Sequence, residues 1–469
     1  MHTAAIELPS REYDVIVIGA GVVGCAMARE LTLMGANVVV VEKSADIIEG
    51  ASKGNSAILH TGFDAPPGSI EQHCVANGYR RYLEIHSKLG LPVMKSGALV
   101  LAWNTEEAAL LEGVLNKARI NGVDNAELLG SDSVLAREPG VSPSVEAGIL
   151  IPGEYIIDPW TTPFAYILQA VDNGAQLIRN CEVLDGGFDG NRWRLHTQMG
   201  EICGKTIVNC AGLYGDLLDQ KLTGASNFHI RPRKGQFVVY DKSTFSLCHS
   251  ILLPVPGKRS KGIVVCPTVF GNVLVGPTAE EQESREDSSI DSQTLRQLTI
   301  RGSQILPGLD QQPITATYAG LRPATDHTEY QIHSDSNNHY VSVGGIRSTG
   351  LSAALGIAEF VCEIIQGKET YQGANECYSW PIANPITEIQ ERDWQKPDNG
   401  GIVCHCELVT RREIDQALSG PVPVASLGGL KRRTRVTMGR CQGFYCTAAL
   451  SEITAGHFCN DIGWNYSDK

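Results

Sequence analysis

The chain is short of aromatics, which make up 6% of its 469 residues, and short of positive charge, with 39 Lys and Arg against 52 Asp and Glu. The resulting formal net charge of −13 excludes a protein that coats nucleic acid, because neutralising phosphates needs a basic face. Long hydrophobic runs are also missing. The most apolar stretch, Val15 to Ala28, is interrupted by Gly19, Gly21 and Gly24 and falls short of the ~20 residues a membrane-spanning helix needs. Residues 1–13 lack the basic-then-apolar order of a secretory signal, so the expected location is the cytoplasm, with any membrane association peripheral and through a partner. There is no tandem repeat and no low-complexity tract. At about 100–200 residues per domain, the length allows about two to four domains with sizeable cores.

Cysteine is plentiful by contrast, at 14 residues. Without an export signal these read as reduced thiols, not a disulfide framework. Ten are scattered singly, as buried cysteines acting as small hydrophobes are. The other four, Cys404, Cys406, Cys441 and Cys446, are clustered near the C-terminus.

The first organised unit is a strand-length apolar run, residues 13–19, followed by Gly19-Ala-Gly21-Val-Val-Gly24, an amphipathic helix ending at Gly35, and a second buried strand, 37–42. This is a βαβ unit of about 30 residues with a G-x-G-x-x-G turn. Its glycines permit a tight turn and let backbone approach a pyrophosphate at the positive end of the helix. Glu42, 18 residues after Gly24, stands where a carboxylate accepts ribose hydroxyls and repels a 2′-phosphate. Two further turns, Ala211-Gly212 after the strand 206–209 and Gly344 to Leu351 with Gly345 and Gly350, supply small residues and a helix start for the polar end of a flavin ring. With one nucleotide fingerprint only, this pattern favours FAD over NAD.

Helices are expected from Asn104 or Thr105 to Arg119 and from Asp158-Pro159 to Asn173. Short β-rich runs at 236–240, 262–266 and 272–276 suggest an antiparallel sheet. Residues 280–292 read as a surface loop, and 371–400, with Pro381, Pro385 and Pro397, as a linker. The expected class is α/β: a Rossmann-like FAD-binding domain (13–90, 150–225 and 321–370), an antiparallel-sheet substrate domain (91–149 and 226–320), the linker, and a small C-terminal iron–sulfur domain (401–469).

The fingerprint, the stretch Ala51 to Gly62, Tyr318-Ala-Gly-Leu-Arg322-Pro323 and Gly344 to Leu351 together resemble the D-amino-acid-oxidase-like flavoproteins, in the branch of glycerol-3-phosphate dehydrogenases and oxidases and L-2-hydroxyglutarate oxidases. The resemblance spans about residues 13–370. It implies that His60 lies at the flavin as the base for the substrate hydroxyl, a role suited to an imidazole that titrates near working pH. It further implies that Arg322 holds the substrate's anionic group, with Lys261 (or its neighbour Lys258) and Ser348 assisting. Ser52, Asn55, Ser56 and Leu351 are implied at the cofactor. Arg233 and Lys234 read equally well as solvated charges and stand outside the expected site.

The tail spacing is C-x-C, 34 residues, then C-x4-C. Four thiolates suit zinc or an iron–sulfur cluster, although a one-residue gap is awkward for the usual zinc hairpin. The pattern resembles the two-iron two-sulfur domain of bacterioferritin-associated ferredoxin, which implies a [2Fe–2S] cluster on these four cysteines. Thr410 to Glu413 has the form of a capping box. The basic run 431–435 is expected as a docking or solvated surface.

Two such cofactors imply a dehydrogenase acting on a small anionic alcohol, most simply sn-glycerol 3-phosphate, with electrons leaving to a partner protein or quinone. L-2-Hydroxyglutarate is the alternative substrate. An amine-oxidising enzyme or an idle electron-transfer subunit are the remaining readings.

Overall fold

The computed structural model describes residues 12–256, 262–366, 371, 377–460 and 462. Strand β1 (Glu12–Ile18), helix α1 (Val22–Leu33) and strand β2 (Val38–Val41) form the expected βαβ unit. Both strands are valine- and isoleucine-rich and buried, as strands covered on two faces are. Gly35 takes φ +92°, the left-handed value that ends the helix turn.

β1 lies parallel between β2 and the strand Gly200–Asn209. Gln176–Ile178 extends the sheet beyond β2, and Tyr340–Gly344 runs parallel beside the end of Gly200–Asn209. Antiparallel strands, Val183–Phe188 with Trp193–Thr197 and Gln331–Asp335, are added on the side of Gly200–Asn209, giving eight strands. α1 packs with Thr161–Asp172, Ile70–Ile85 and Gly350–Gln366 on one face around an apolar core of small and branched residues.

A second, nine-stranded sheet centres on the long antiparallel pair Ile230–Tyr240 and Ile314–Thr325. The short runs expected at 262–266 and 272–276 become Val264–Pro267 and Val273–Gly276, paired antiparallel. One parallel pair, Ile251–Pro254 with Ala98–Ala102, joins its two halves. The helix Thr105–Ile120 is capped by the Asn104 side chain, which accepts from the Glu107 N–H at 2.9 Å.

Two segments differ from their sequence reading. Residues 280–292 are not only a loop: Glu280–Glu281 pairs with Arg233 and Lys234, and Asp291 caps the helix Ser292–Ile305. Within 371–400 the described part is irregular but packed. Ala383 and Ile386 are buried, Arg392 is 1% exposed, and backbone bonds run to Leu89 and Val269. Prolines prevent a periodic pattern there, and a segment that satisfies its backbone on neighbouring units shows none.

The tail forms a small cluster of helices around its own core. Its capping box is present, with Thr410 and Glu413 exchanging hydrogen bonds. Arg432 pairs with Glu49, Arg433 lies 3.1 Å over the Phe164 ring, and Arg435 lies 4.1 Å over Phe270. The basic run is therefore a docking surface onto the rest of the molecule. Among the described residues no helix is long and apolar enough to cross a membrane.

Candidate active site and cysteine centre

The glycine turn shows why only glycine serves there. Gly19 sits at φ +104°, and a Cβ on Gly24 would overlap the Gly19 carbonyl. Gly24 thus lets α1 approach β1, while Gly19 and Gly21 face a cavity of about 1010 Å³. Glu42 follows β2 at the same wall. Its Oε2 accepts from the Ala20 N–H and its Oε1 from the Ser44 N–H, both at 2.8 Å, so the carboxylate is fixed beside the turn. Ser52 Oγ accepts from the Val22 N–H at 2.9 Å at the start of α1.

The same cavity is lined by Ser52, Asn55, Ser56 and His60 from one loop, and by Ala211 and Gly212 from the turn after Gly200–Asn209. Gly345, Ser348, Gly350 and Leu351 line it from the start of the last long helix, and Arg322 from the second sheet. Of the expected site residues, Gly24 lies behind the lining and Lys261 lies outside the described residues, as does Lys258. Asn55 also shapes its loop, its side chain bridging the Ser52 carbonyl and the Ala57 N–H. The cavity is at the upper end of ordinary ligand sites, and its backbone cradle beside a fixed carboxylate fits a dinucleotide.

His60 follows the short strand Ile58–Leu59. Its N–H donates to Ser352 Oγ at 2.8 Å, which fixes the backbone. Its Nδ1 lies 2.7 Å from Glu154 Oε2, and Glu154 Oε1 accepts from both the Thr61 N–H (2.6 Å) and the Thr61 hydroxyl (2.8 Å). Glu154 is wholly buried. Gly153 makes that possible, since a Cβ there would press on Thr61 and the Tyr79 hydroxyl. No local pattern marks Glu154: it is one glutamate in a Pro-Gly turn, 94 positions from His60.

Arg322 hydrogen-bonds only the Thr278 carbonyl, at 3.2 and 3.3 Å, and has no carboxylate partner among the described residues. Burial pushes its pKa down to about 10, and Arg233 adds to that effect while Glu281 opposes it. Arg233 stands directly opposite Arg322 in the strand pair, lines the same cavity and is itself paired with Glu281 at 2.6 Å. Two guanidiniums facing each other on one sheet face repel. Local pattern does not mark Arg233, because the register that brings it opposite Arg322 is a long-range property.

In the tail the sulfurs come as two pairs, Cys404 with Cys446 and Cys406 with Cys441. Two facing pairs of thiols fit the two irons of a [2Fe–2S] cluster, each iron taking two thiolates. The Tyr445 N–H, aided by the Cys406 thiol and the Gly443 and Phe444 N–H groups, holds the Cys441 thiol below its ordinary value against the effect of burial. Burial and the neighbouring Cys404 push Cys446 up to about 12. Gly439 allows the close approach, because a Cβ there would overlap that of Cys406.

Residues 14–364 match the family described as FAD dependent oxidoreductase, and 402–455 match the BFD-like [2Fe-2S] binding domain. A glycerol 3-phosphate dehydrogenase of Caloramator mitchellensis is 32% identical over 453 residues, covering 94% of each chain. A mitochondrial L-2-hydroxyglutarate dehydrogenase of Caenorhabditis elegans is 26% identical over 64% of this chain and 72% of its own. The dithionite-reduced L-alpha-glycerophosphate oxidase of Mycoplasma pneumoniae with FAD bound superposes with a TM-score of 0.74 at 30% identity, covering 80% of this chain and 99% of that one.

Proposed function

The chain belongs to the FAD dependent oxidoreductase family and carries a [2Fe-2S] domain, and on that premise we propose that it is a dehydrogenase oxidising the secondary alcohol of sn-glycerol 3-phosphate to dihydroxyacetone phosphate. The observation that carries the substrate assignment is Arg322: a desolvated guanidinium facing the cavity without a carboxylate partner among the described residues. Such a cation fits an anionic ligand. Arg233 opposite it is held by Glu281, so Arg322 is the cation that faces the ligand. Similarity to the glycerol 3-phosphate dehydrogenase along nearly the whole chain points the same way.

Gly19, Gly21 and the start of α1 would hold the pyrophosphate, Glu42 the ribose, and the loops at Ser52 to Ser56, Ala211 to Gly212 and Gly345 to Leu351 the ring. Bound FAD supplies a hydride acceptor and the cluster, on Cys404, Cys406, Cys441 and Cys446, a one-electron carrier. His60 takes the hydroxyl proton, Arg322 with Lys261 clamps the phosphate, and Ser348 orients the substrate from the helix start. The tail would pass electrons on to an acceptor protein or quinone. A packed route supports this: Glu407, next to Cys406, pairs with Arg435, which lies over Phe270; Phe270 stacks on Trp160 at 5.2 Å; and Trp160 donates to the Lys53 carbonyl in the cofactor loop.

The test is an anaerobic titration of the holoprotein with glycerol 3-phosphate and, separately, L-2-hydroxyglutarate, following flavin and cluster absorbance together. Bleaching of both bands by glycerol 3-phosphate is expected. Bleaching by the hydroxy acid alone reassigns the substrate, and flavin bleaching without cluster reduction removes the internal route.

A further inference from the structure

A carboxylate with no access to water needs full compensation by partners, and Glu154 finds it in two places. Oε1 is taken by the Thr61 N–H and hydroxyl; among the described residues Oε2 is bonded only by His60 Nδ1. From this geometry we propose that Glu154 is the positioning residue for His60, holding the imidazole as the Nδ1–H tautomer so that Nε2 is the free base. The proposal rests on His60 being the base of the reaction above.

An ionised carboxylate only accepts hydrogen bonds, so the proton between the two groups belongs to Nδ1. The neutral ring then carries its lone pair on Nε2. The His60 side chain is 15% exposed and lines the cavity, while Glu154 is 0% exposed, so the Nδ1 side faces the wall. Holding the backbone does not require this bond, because the His60 N–H is already anchored on Ser352. The other ionisable groups packed around Glu154 are Tyr79, from the helix Ile70–Ile85, and Tyr155, from the following strand. Burial, with the neighbouring Tyr155, pushes the Tyr79 phenol up, so Tyr79 does not compete as a charged partner. During turnover the substrate O–H bond breaks with its proton going to Nε2, and the carbon-bound hydrogen departs with its electron pair to the bound FAD. The ring becomes an imidazolium with both nitrogens protonated, and its new charge is met by Glu154 at 2.7 Å. This is general-base catalysis with an oriented base.

The experiment uses the holoprotein, its E154Q and E154D variants, and ¹⁵N-histidine labelling, with the His60 signal identified by its loss in H60N. Wild type is expected to show His60 protonated at Nδ1 and not at Nε2, without any substrate present. In E154Q the side-chain amide donates to Nδ1, and the ring switches to the Nε2–H tautomer. The limiting rate of anaerobic flavin bleaching by glycerol 3-phosphate then falls by roughly 10²–10⁴-fold, with the half-saturating concentration unchanged, and E154D recovers part of the rate. A wild-type Nε2–H tautomer, or a tautomer unmoved in E154Q, overturns the proposal. Should E154Q fail to retain flavin, the wild-type tautomer decides alone. The premise fails separately: undiminished bleaching in H60A would remove His60 as base whatever its tautomer.

Discussion

Replacing Arg322 by methionine should make the protein more stable and less able to take its substrate. A guanidinium whose pKa falls from 12.5 to about 10 is disfavoured in its charged form by about 3 kcal/mol. At pH 7, far below both values, the cation is present in folded and unfolded chains alike, so the whole cost falls on the folded state; it lifts only as pH rises through about 10. Methionine fills similar volume without charge, and the repulsion from Arg233 across the strand pair disappears with it. What is lost is the pair of hydrogen bonds to the Thr278 carbonyl, and an acceptor left bare costs about 1–3 kcal/mol. Because that carbonyl borders the cavity and can meet water, the low end applies, leaving a net gain of about 2 kcal/mol. For cooperative units of 150–250 residues, each kcal/mol raises the melting temperature by about 2–4 °C. Hydrogen bonds to a charged ligand contribute about 1.5–3 kcal/mol each, so losing two should raise the half-saturating glycerol 3-phosphate concentration at least ~100-fold. Calorimetry of the ligand-free R322M holoprotein, beside anaerobic flavin titration, checks both halves. A variant that melts below wild type while saturating normally would refute the reasoning.

The cluster assignment predicts that C406S and C446S each lose iron and the visible cluster absorbance while the flavin-to-protein ratio stays that of wild type; equal loss of both cofactors would contradict it. Asp216 supplies a pH test. Burial alone would raise its pKa, but hydrogen bonds from Arg285 and the Ile230 N–H outweigh it and hold the carboxyl below its ordinary 3.8. Stability from this group is therefore complete above pH ~4 and lost as pH falls through its depressed folded value. D216N should destabilise the chain at pH 7 by about 1.5–3 kcal/mol, and its urea midpoint should converge on that of wild type at lower pH.

Features legible in the sequence are those set by neighbours along the chain. The β1–α1–β2 unit follows from an apolar run, spaced glycines and a C-cap glycine; the caps at Asn104 and Thr410 follow from side chains that reach three residues ahead. The cysteine spacing likewise carries its own message. What was not legible depends on register or docking. Arg233 gains significance only because it lies opposite Arg322, and Glu154 only because a turn carries it under His60. Arg285, in a segment that reads as loop, reaches Asp216 and closes one side of the cavity. No local pattern encodes such meetings.

The strand Ile314–Thr325 ties these distant features together. At one end the Thr315 carbonyl accepts from Gln442 of the cysteine tail, and its hydroxyl donates to Asp241, which also holds Arg440. Three residues on, the Tyr318 hydroxyl donates to the Asn55 carbonyl of the cofactor loop. Gly320 then meets that loop backbone to backbone, and Arg322 faces the cavity two residues later. Successive contacts on a strand paired along its length with Ile230–Tyr240 are coupled: what moves the loop moves the arginine. A Cβ on Gly320 would overlap the Gly54 carbonyl, a backbone atom that cannot rotate aside. G320A should therefore cost about 1–3 kcal/mol of local overpacking, weakening flavin affinity by ~10–100-fold and substrate affinity with it, while the iron content of the tail stays at the wild-type level. Flavin content after dilution, read against iron content, measures this directly. Full flavin retention in G320A would show that the loop yields independently of the strand, and the cofactor loop and Arg322 would then have to be treated as separately positioned.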